Sequence, residues 1–291
     1  MSVSYACKLF GYDRQVYYRA KERVVKNKKR AELVVGLVAI KRRRMPKSGG
    51  RKLYHLLRLE LNKMGIGRDK FFDILRANHL LIKPKRQYHI TTNSHHRFRK
   101  HENLVEELQI TRPEQVWVSD ITYIGDRNSP KYLALVTDSY SKKIMGYDVS
   151  ESLSVDGSVR ALNMAIKNRK YRQLKLIHHS DRGLQYCSDK YQEVLSKNDI
   201  QCSMTEQYDP YQNATAERVN GILKQEFILG IKVKDLDLMR KLIDQSIRIY
   251  NNERPHLSCK MHTPQQMHRQ NKIVIKTYKR KRVEDNGLLL A

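Results

Sequence analysis

The chain has 291 residues and a formal net charge of +27, from 57 Lys and Arg against 30 acidic residues. No stretch approaches the roughly 18 apolar residues of a membrane span, and the N-terminus lacks the pattern of an export signal, so membrane and secreted classes are disfavoured. The four cysteines are widely scattered without metal-site spacing, which predicts reduced thiols in a cytoplasmic protein.

The excess of cations is concentrated at the two ends of the chain. Residues 1–110 hold 27 of the Lys and Arg but only 9 of the acidic residues, and seven further cations lie in 269–282. We expect a basic tail over 271–291. A basic N-terminal part predicts a polyanionic partner, with nucleic acid favoured over the alternative of a merely solvated surface.

The first predicted elements are two short helices within residues 2–24. Apolar residues recur there at helical spacing, and Gly11-Tyr12-Asp13 interrupts the pattern so that Asp13 can cap the second helix. This outline predicts a basic, helix-turn-helix-like region over residues 1–45, although any small helical pair has the same outline.

A second helix-turn-helix-like unit is predicted over residues 46–82. Leu53, Leu57 and Leu61 lie on one face of a helix, "MGIGRD" turns the chain, and Phe71 lies in the next helix. Basic residues decorate the outer surface of the unit, and its candidate DNA contacts are Lys52, Arg68 and Lys70.

Residues 83–108 read as a linker because helical and strand periodicity are both lost there. His95 and His96 in this stretch lack Cys or acidic partners at metal-ligand spacing, so we expect no metal site.

From residue 109 to 270 the pattern changes to α/β. Three strands with short turns are predicted at 115–124, 131–140 and 142–150. They are followed by a helix at 154–170, a strand at 174–181, a helix at 189–198, a strand at 200–205 and helices at 209–229 and 235–252. This order predicts a ribonuclease-H-like core, a five-stranded mixed sheet flanked by helices, preceded by the all-α region.

Two aspartates mark neighbouring strands of the predicted sheet. Asp120 lies inside the apolar strand "WVSDITYI", where a lone carboxylate is costly to bury, and Asp181 ends the fourth strand. If that strand lies beside the first, the two carboxylates repel and raise each other's pKa unless a cation holds them. Divalent ions such as Mg²⁺ prefer these oxygen ligands.

The helix after the last strand supplies a third acid. Glu217 and Lys224 are seven residues apart, about two turns, so they share a helical face with Asn220 between them. This stripe offers a metal-binding carboxylate and a cation for a backbone phosphate, which is the layout expected for phosphoryl transfer with two metal ions. Asn220 on the same stripe is a further candidate DNA contact.

The stretch "LIHHSDRGLQYCS" (176–188) places three more polar side chains beside Asp181. We expect His178, His179 and Arg182 to line a polar mouth that faces phosphates, with a structural role for His179 equally weighted. Trp117 is expected to lie in the core rather than to stack on a base.

At these residues the chain resembles the DDE transposases and retroviral integrases. Sixty residues separate Asp120 from Asp181, and 35 separate Asp181 from Glu217. "WVSDITYI", "HHSDRGLQY", "DPYQNATAERVNGILKQE" and "YNNERPHLSCKMHTPQQ" (250–266) together resemble the second-reading-frame transposase of the insertion-sequence-three family. The likeness is strong over about 105–268 and looser in the helical N-terminus.

The resemblance implies an enzyme that cuts transposon ends to 3′-hydroxyls and joins them to another DNA. It implies Asp120, Asp181 and Glu217 as the catalytic, metal-binding triad for Mg²⁺ or Mn²⁺, with two ions, and Lys224 as a DNA contact. It further implies a DNA-contact or supporting role for Arg254 and His256 in "NNERPH". The partners that it implies are double-stranded DNA, as transposon ends and target, on which a homo-multimer assembles, and a first-reading-frame partner protein or fusion; the implied location is the nucleoid.

Two other functions remain open at this point. A catalytically silent DNA-binding regulator would share the basic helical units, and a hydrolytic ribonuclease-H-like nuclease would share the carboxylates. The intact trio of acids argues against the first, and a strand-transfer product would exclude the second.

Overall fold

The computed structural model describes residues 2–83, 101–126, 129–205, 213–227, 233 and 235–274. Most of the predicted linker, with His95 and His96, and the predicted tail beyond residue 274 lie outside these residues. No helix among the described residues is both long enough and apolar enough to cross a membrane.

The N-terminal part is helical, as predicted, but its second helix is much longer than expected. The helices are α1 (Val3–Leu9), α2 (Arg14–Arg44), α3 (Gly50–Leu56), α4 (Arg58–Lys63) and α5 (Arg68–Ala77). The Asp13 side chain caps α2 by accepting from the Gln15 N–H at 2.7 Å. The prediction of a short second helix is wrong because 14–44 contains no proline, and the single Gly36 costs only about 1 kcal/mol relative to Ala.

The second half of α2 shares one hydrophobic core with the second predicted helical unit. Val34 and Val38 of α2 are fully buried against Leu53, Leu57 and Phe71 of the following helices. The leucine face is divided between α3 and α4 at Leu57, and the predicted turn is present. The second half of α2 therefore belongs structurally with α3 to α5.

The C-terminal part is a five-stranded sheet with helices on both faces. Its strands are β1 (Val116–Asp126), β2 (Ser129–Asp138), β3 (Ile144–Ser150), β4 (Leu176–Ser180) and β5 (Ile200–Met204), in the order β3-β2-β1-β4-β5. β1, β2 and β3 are antiparallel neighbours, whereas β4 pairs parallel with both β1 and β5. This is the mixed, ribonuclease-H-like sheet that the element order predicted.

Two groups of helices cover the two faces. The helices of this part are α6 (Val155–Lys167), α7 (Leu184–Cys187), α8 (Asp189–Lys197), α9 (Ala214–Glu226), α10 (Leu236–Asn252) and α11 (Pro264–Met267). Trp117, Leu162 and Tyr191 pack on the face covered by α6 to α8, so Trp117 is a core residue as expected. Ile124 and Leu223 pack on the face covered by α9 and α10.

Gly146 of β3 allows a close contact between α6 and the sheet. A Cβ at this position would lie 2.0 Å from the carbonyl oxygen of Ala161 in α6. Since no side chain fits in that gap, the glycine sets how near α6 lies to the sheet.

Candidate active site

Asp120 lies in β1, and Asp181 directly follows the adjacent parallel strand β4, so the two are neighbours. Ser119 of β1 is in register with Ser180 of β4, and each aspartate follows its serine by one residue. Adjacent strands lie about 5 Å apart, and residues in register on parallel strands point to the same face. Asp120 shares its face with Val118 and Ile124, and this face is the one that α9 covers.

Helix α9 brings the third acid to the same face. Its start is fixed to β1 because Asn213 Nδ2 donates to the Ser119 carbonyl at 3.0 Å. About two turns further along the helix, Asn220 Nδ2 donates to Asp120 Oδ2 at 2.7 Å. Glu217 therefore lies in the first turn of a helix that is tied to β1 at two points, and its own side chain is exposed.

The pKa of Asp120 is shifted by burial and by the other acids nearby. Burial and the nearby charge of Asp181 raise the pKa of Asp120 to about 7, and Glu217 adds a smaller contribution in the same direction. The hydrogen bond from Asn220 opposes this rise. Partial burial also raises the pKa of Glu217. The charged form of these carboxylates is therefore disfavoured by burial and by the neighbouring acids. A bound cation would stabilise it.

Lys224 lies at the edge of this group. Partial burial lowers the pKa of its ammonium, and the charge of Asp120 opposes that effect. Lys224 is half-buried on the same helical face as Glu217 and Asn220, as the sequence predicted. A cation in this position can bind a phosphate beside the carboxylates.

The donor set suits a hard divalent cation, although the described residues contain no preassembled metal cage. No three His, Cys, Asp or Glu side chains within the described ranges are already close enough together to hold an ion. The carboxylates of Asp120, Asp181 and Glu217 nevertheless offer only oxygen ligands, and their mutual repulsion favours a cation.

The two histidines beside Asp181 do not line a polar mouth, and this expectation is wrong. His178 is fully buried, and its Nε2 lies 2.7 Å from Ser119 Oγ and 2.8 Å from the Tyr191 hydroxyl. His179 is also fully buried, with Nδ1 2.9 Å from Ser203 Oγ. Both rings belong to an interior strand that is covered on both faces, so they connect strands and helices instead of facing phosphates.

Three other predicted DNA contacts are placed in structural interactions. Asn220 is 4% exposed and holds Asp120, and Arg254 is 2% exposed and donates two hydrogen bonds to Glu226. Lys52 also pairs with Glu226, and its side chain is 14% exposed. Of the two roles considered for the "NNERPH" motif, these contacts favour support over DNA contact. His256 is likewise buried, and its Nε2 lies 2.9 Å from the Tyr250 hydroxyl.

The remaining predicted DNA contacts reach solvent. Arg68 and Lys70 are exposed in the first turn of α5, and Arg182 is half-buried directly after Asp181. These positions are compatible with contact to a DNA backbone.

Two residues near the carboxylates were missed by reasoning from the sequence. Tyr186 is buried, and burial raises the pKa of its hydroxyl, with Tyr191, Asp181 and Asp120 adding to the effect. Asn213 positions the start of α9, as described above. Both lie in motifs that the sequence singled out, but their contacts depend on packing that no spacing reveals.

Comparison with known proteins identifies the group to which this chain belongs. The integrase core domain matches residues 110–210, and a second integrase core domain model matches 198–264. "Insertion element IS600 uncharacterized 31 kDa protein" of Shigella sonnei is 32% identical over 256 residues, which cover 86% of this chain and 92% of that protein. "Transposase InsF for insertion sequence IS3fB" of Escherichia coli K12 is 34% identical over 199 residues, which cover 68% of this chain and 69% of the relative. The chain belongs to the IS3 family of DDE transposases.

Two solved structures also align with this IS3-family transposase. The simian T-cell lymphotropic virus intasome in complex with PP2A regulatory subunit B56 gamma has 18% identity and a TM-score of 0.48, covering 79% of this chain and 78% of that one. The HTLV-2 integrase catalytic core domain in complex with magnesium has 20% identity and a TM-score of 0.43, covering 54% of this chain and 97% of that one.

Proposed function

We propose that this transposase opens a transposon end to a 3′-hydroxyl and joins that end to a second DNA, with Asp120, Asp181 and Glu217 as the catalytic triad. The observation that carries the proposal is that Asp120 and Asp181 directly follow residues in register on β1 and β4, on the face of the sheet that α9 covers. Burial and the charge of Asp181 raise the pKa of Asp120, in keeping with that placement. Each acid comes from a different element, and α9 is tied to β1 beside them.

The two steps balance without an energy-rich cofactor. In the first, a water oxygen bonds to phosphorus and the bond from phosphorus to the 3′-oxygen breaks, leaving a 3′-hydroxyl and a 5′-phosphate. In the second, that hydroxyl attacks a target phosphodiester, so one phosphodiester forms as another breaks. Two Mg²⁺ or Mn²⁺ ions held by the triad would activate the attacking oxygen and stabilise the leaving oxygen.

The other side chains have supporting roles in this proposal. Asn220 holds the carboxylate of Asp120 in place through its 2.7 Å hydrogen bond. Lys224 and Arg182 bind phosphates beside the triad, and Arg68 and Lys70 bind the DNA backbone at α5. We further propose that the protein acts as a multimer on paired DNA ends, with a first-reading-frame partner.

The test is metal-dependent cutting of a duplex that carries the ends of the element encoding this chain. We expect nicking and strand-transfer products with Mg²⁺ or Mn²⁺, and neither product after chelation or in the Glu217→Gln variant. Wild-type protein that binds the duplex without cutting it would support a silent regulator instead. Cutting without a joined product would support a hydrolytic nuclease.

A further inference from the structure

The end of α9 opposite Glu217 is held by a group of three charged residues. The Glu226 carboxylate receives two hydrogen bonds from Arg254, both 2.8 Å, and pairs with Lys52 of α3. All three side chains are at most 15% exposed. We refer to Lys52, Glu226 and Arg254 as the Glu226 clamp.

The clamp lies in a packed interface between the helical part and the sheet part. The N–H of Lys47 donates to the carbonyl of Glu226 at 3.0 Å. Met45, between α2 and α3, is 3% exposed in the same core cluster as Val219 and Leu223 of α9, and Leu56 packs against that cluster. The helical part is therefore attached directly to the helix that carries Glu217.

The charges of the clamp depend on one another. Burial and then the Arg254 charge lower the pKa of Lys52 to about 8, whereas Glu226 opposes this effect. Hydrogen bonds and charges of Arg254 and Lys52 overcome the effect of burial and lower the pKa of Glu226. Without the carboxylate, two cations would face each other in a mostly dry interface, which is strongly unfavourable.

Glu226 and Glu217 belong to one continuous helix. They are nine residues apart, about 14 Å along the axis, and Lys224 lies between them. A displacement at the clamp would tilt or shift this helix relative to β1. A misplacement of about 1 Å can reduce a reaction rate about 100-fold.

We propose that the Glu226 clamp fixes the helical unit of residues 46–82 to the catalytic helix, so that DNA held by that unit enters the carboxylate site in a single register. This inference rests on the proposed function of the triad and assigns Lys52, Glu226 and Arg254 as positioning residues. It explains why Lys52 and Arg254 are buried although both are cations in a DNA-binding protein.

The decisive comparison is Glu226→Gln against Glu253→Gln in the full-length protein. Glu253 also pairs with the helical part, through Arg44, but both side chains are at least 36% exposed, and such pairs contribute little. Each variant is incubated with an end-labelled transposon-end duplex, and cut positions are mapped to single nucleotides. We expect Glu226→Gln to bind the duplex within about threefold of wild type. We expect it to cut about tenfold more slowly and at several adjacent phosphodiesters. Glu253→Gln should reproduce the wild-type pattern.

Lys52→Met provides a second variant that leaves the pair between Glu226 and Arg254 intact. We expect the same spread of cut positions and faster hydrogen exchange of the Lys47 amide, which reports docking without any need for cutting. If Lys52 contacts DNA instead, the salt dependence of binding falls by about one phosphate and the cut position stays unique. If Glu226→Gln does not fold, the cut positions and the Lys47 amide exchange of Lys52→Met test the clamp on their own.

These experiments distinguish failure of the clamp from failure of the proposed function. Variants that are folded and that cut at the single wild-type position, with an unchanged Lys47 amide, would overturn the clamp. A wild-type protein that never cuts, and so does not differ from Glu217→Gln, would overturn the proposed function, while the exchange of the Lys47 amide would still test the docking.

Discussion

Replacing Asp120 with Asn should stabilise the protein in the absence of divalent metal. The pKa of Asp120 rises from an ordinary 3.8 to about 7, because burial and Asp181 both disfavour its charged form. The folded state thus binds a proton more tightly than the unfolded state does. The free energy of unfolding of the wild type therefore falls as pH rises from about 4 through 7, and the full cost is present at pH 8.

The size of the expected stabilisation follows from the difference between the ordinary pKa of Asp120 and its pKa in the folded protein. About three pH units correspond to about 4 kcal/mol, which is an upper bound because a partly solvated site relaxes around the charge. We expect Asp120→Asn to raise the free energy of unfolding at pH 8 by about 1–3 kcal/mol, equivalent to about 3–8 °C in melting temperature. At pH 4 the variant and the wild type should unfold at nearly the same temperature.

The assay is thermal unfolding followed by circular dichroism with EDTA present, at pH values from 4 to 8.5. Asp237→Asn serves as the control because that carboxylate is 78% exposed, so its removal should change the stability by less than about 0.5 kcal/mol. Added Mg²⁺ should stabilise the wild type at pH 8 and stabilise Asp120→Asn much less. Equal melting temperatures for the variant and the wild type at pH 8 would refute the crowding of the acids.

Three further predictions concern other parts of the molecule. Lys224→Ala should weaken DNA binding and lower the slope of log K against log salt by about one, measured by fluorescence anisotropy; an unchanged slope would contradict the phosphate contact. Gly221→Ala should raise the free energy of unfolding by about 0.5–1 kcal/mol, because Ala favours the helix and a Cβ there meets no atom within 4 Å. The same substitution should slow cutting if DNA lies across this face of α9, and full activity would contradict that position of the DNA. Burial opposes protonation of His268, but the nearby carboxylates of Asp138 and Glu114 outweigh it and raise the pKa of His268. The stabilisation from charged His268 is therefore present at low pH and lost as pH rises through that pKa. His268→Gln should thus lower the free energy of unfolding in urea by about 2–4 kcal/mol at pH 6 and by less at pH 9, and equal losses at both pH values would argue against a charged His268.

Much of the sheet part is predictable because its signals are local. Apolar runs bounded by turn residues located all five strands to within about two residues at most ends, and helical periodicity located the long helices that cover them. The adjacency of Asp120 and Asp181 required one further inference, that β4 lies beside β1, and the strand order confirms it.

The errors arose where a side chain's environment depends on distant residues. His178 and His179 look like an exposed polar end of a strand, but β4 is an interior strand, and one nitrogen of each ring contacts buried side chains of Ser119, Tyr191 or Ser203. Lys52 looks like one of many surface cations, and its partner Glu226 is 174 positions away. No sequence spacing predicts such a pair. Reasoning from charge alone therefore led to the prediction of Lys52 as a DNA contact.

The position of α9 follows from how its two ends are held. Near its start, Asn213 and Asn220 bind β1 through a backbone carbonyl and through the carboxylate of Asp120. At its far end, Glu226 is held by Arg254 and Lys52. The residues between them include Glu217, the acid of the proposed triad that a helix supplies. Because a helix transmits displacement along its axis, substitutions at either end should alter the geometry of cutting without touching DNA, and the far end links that geometry to the helical part.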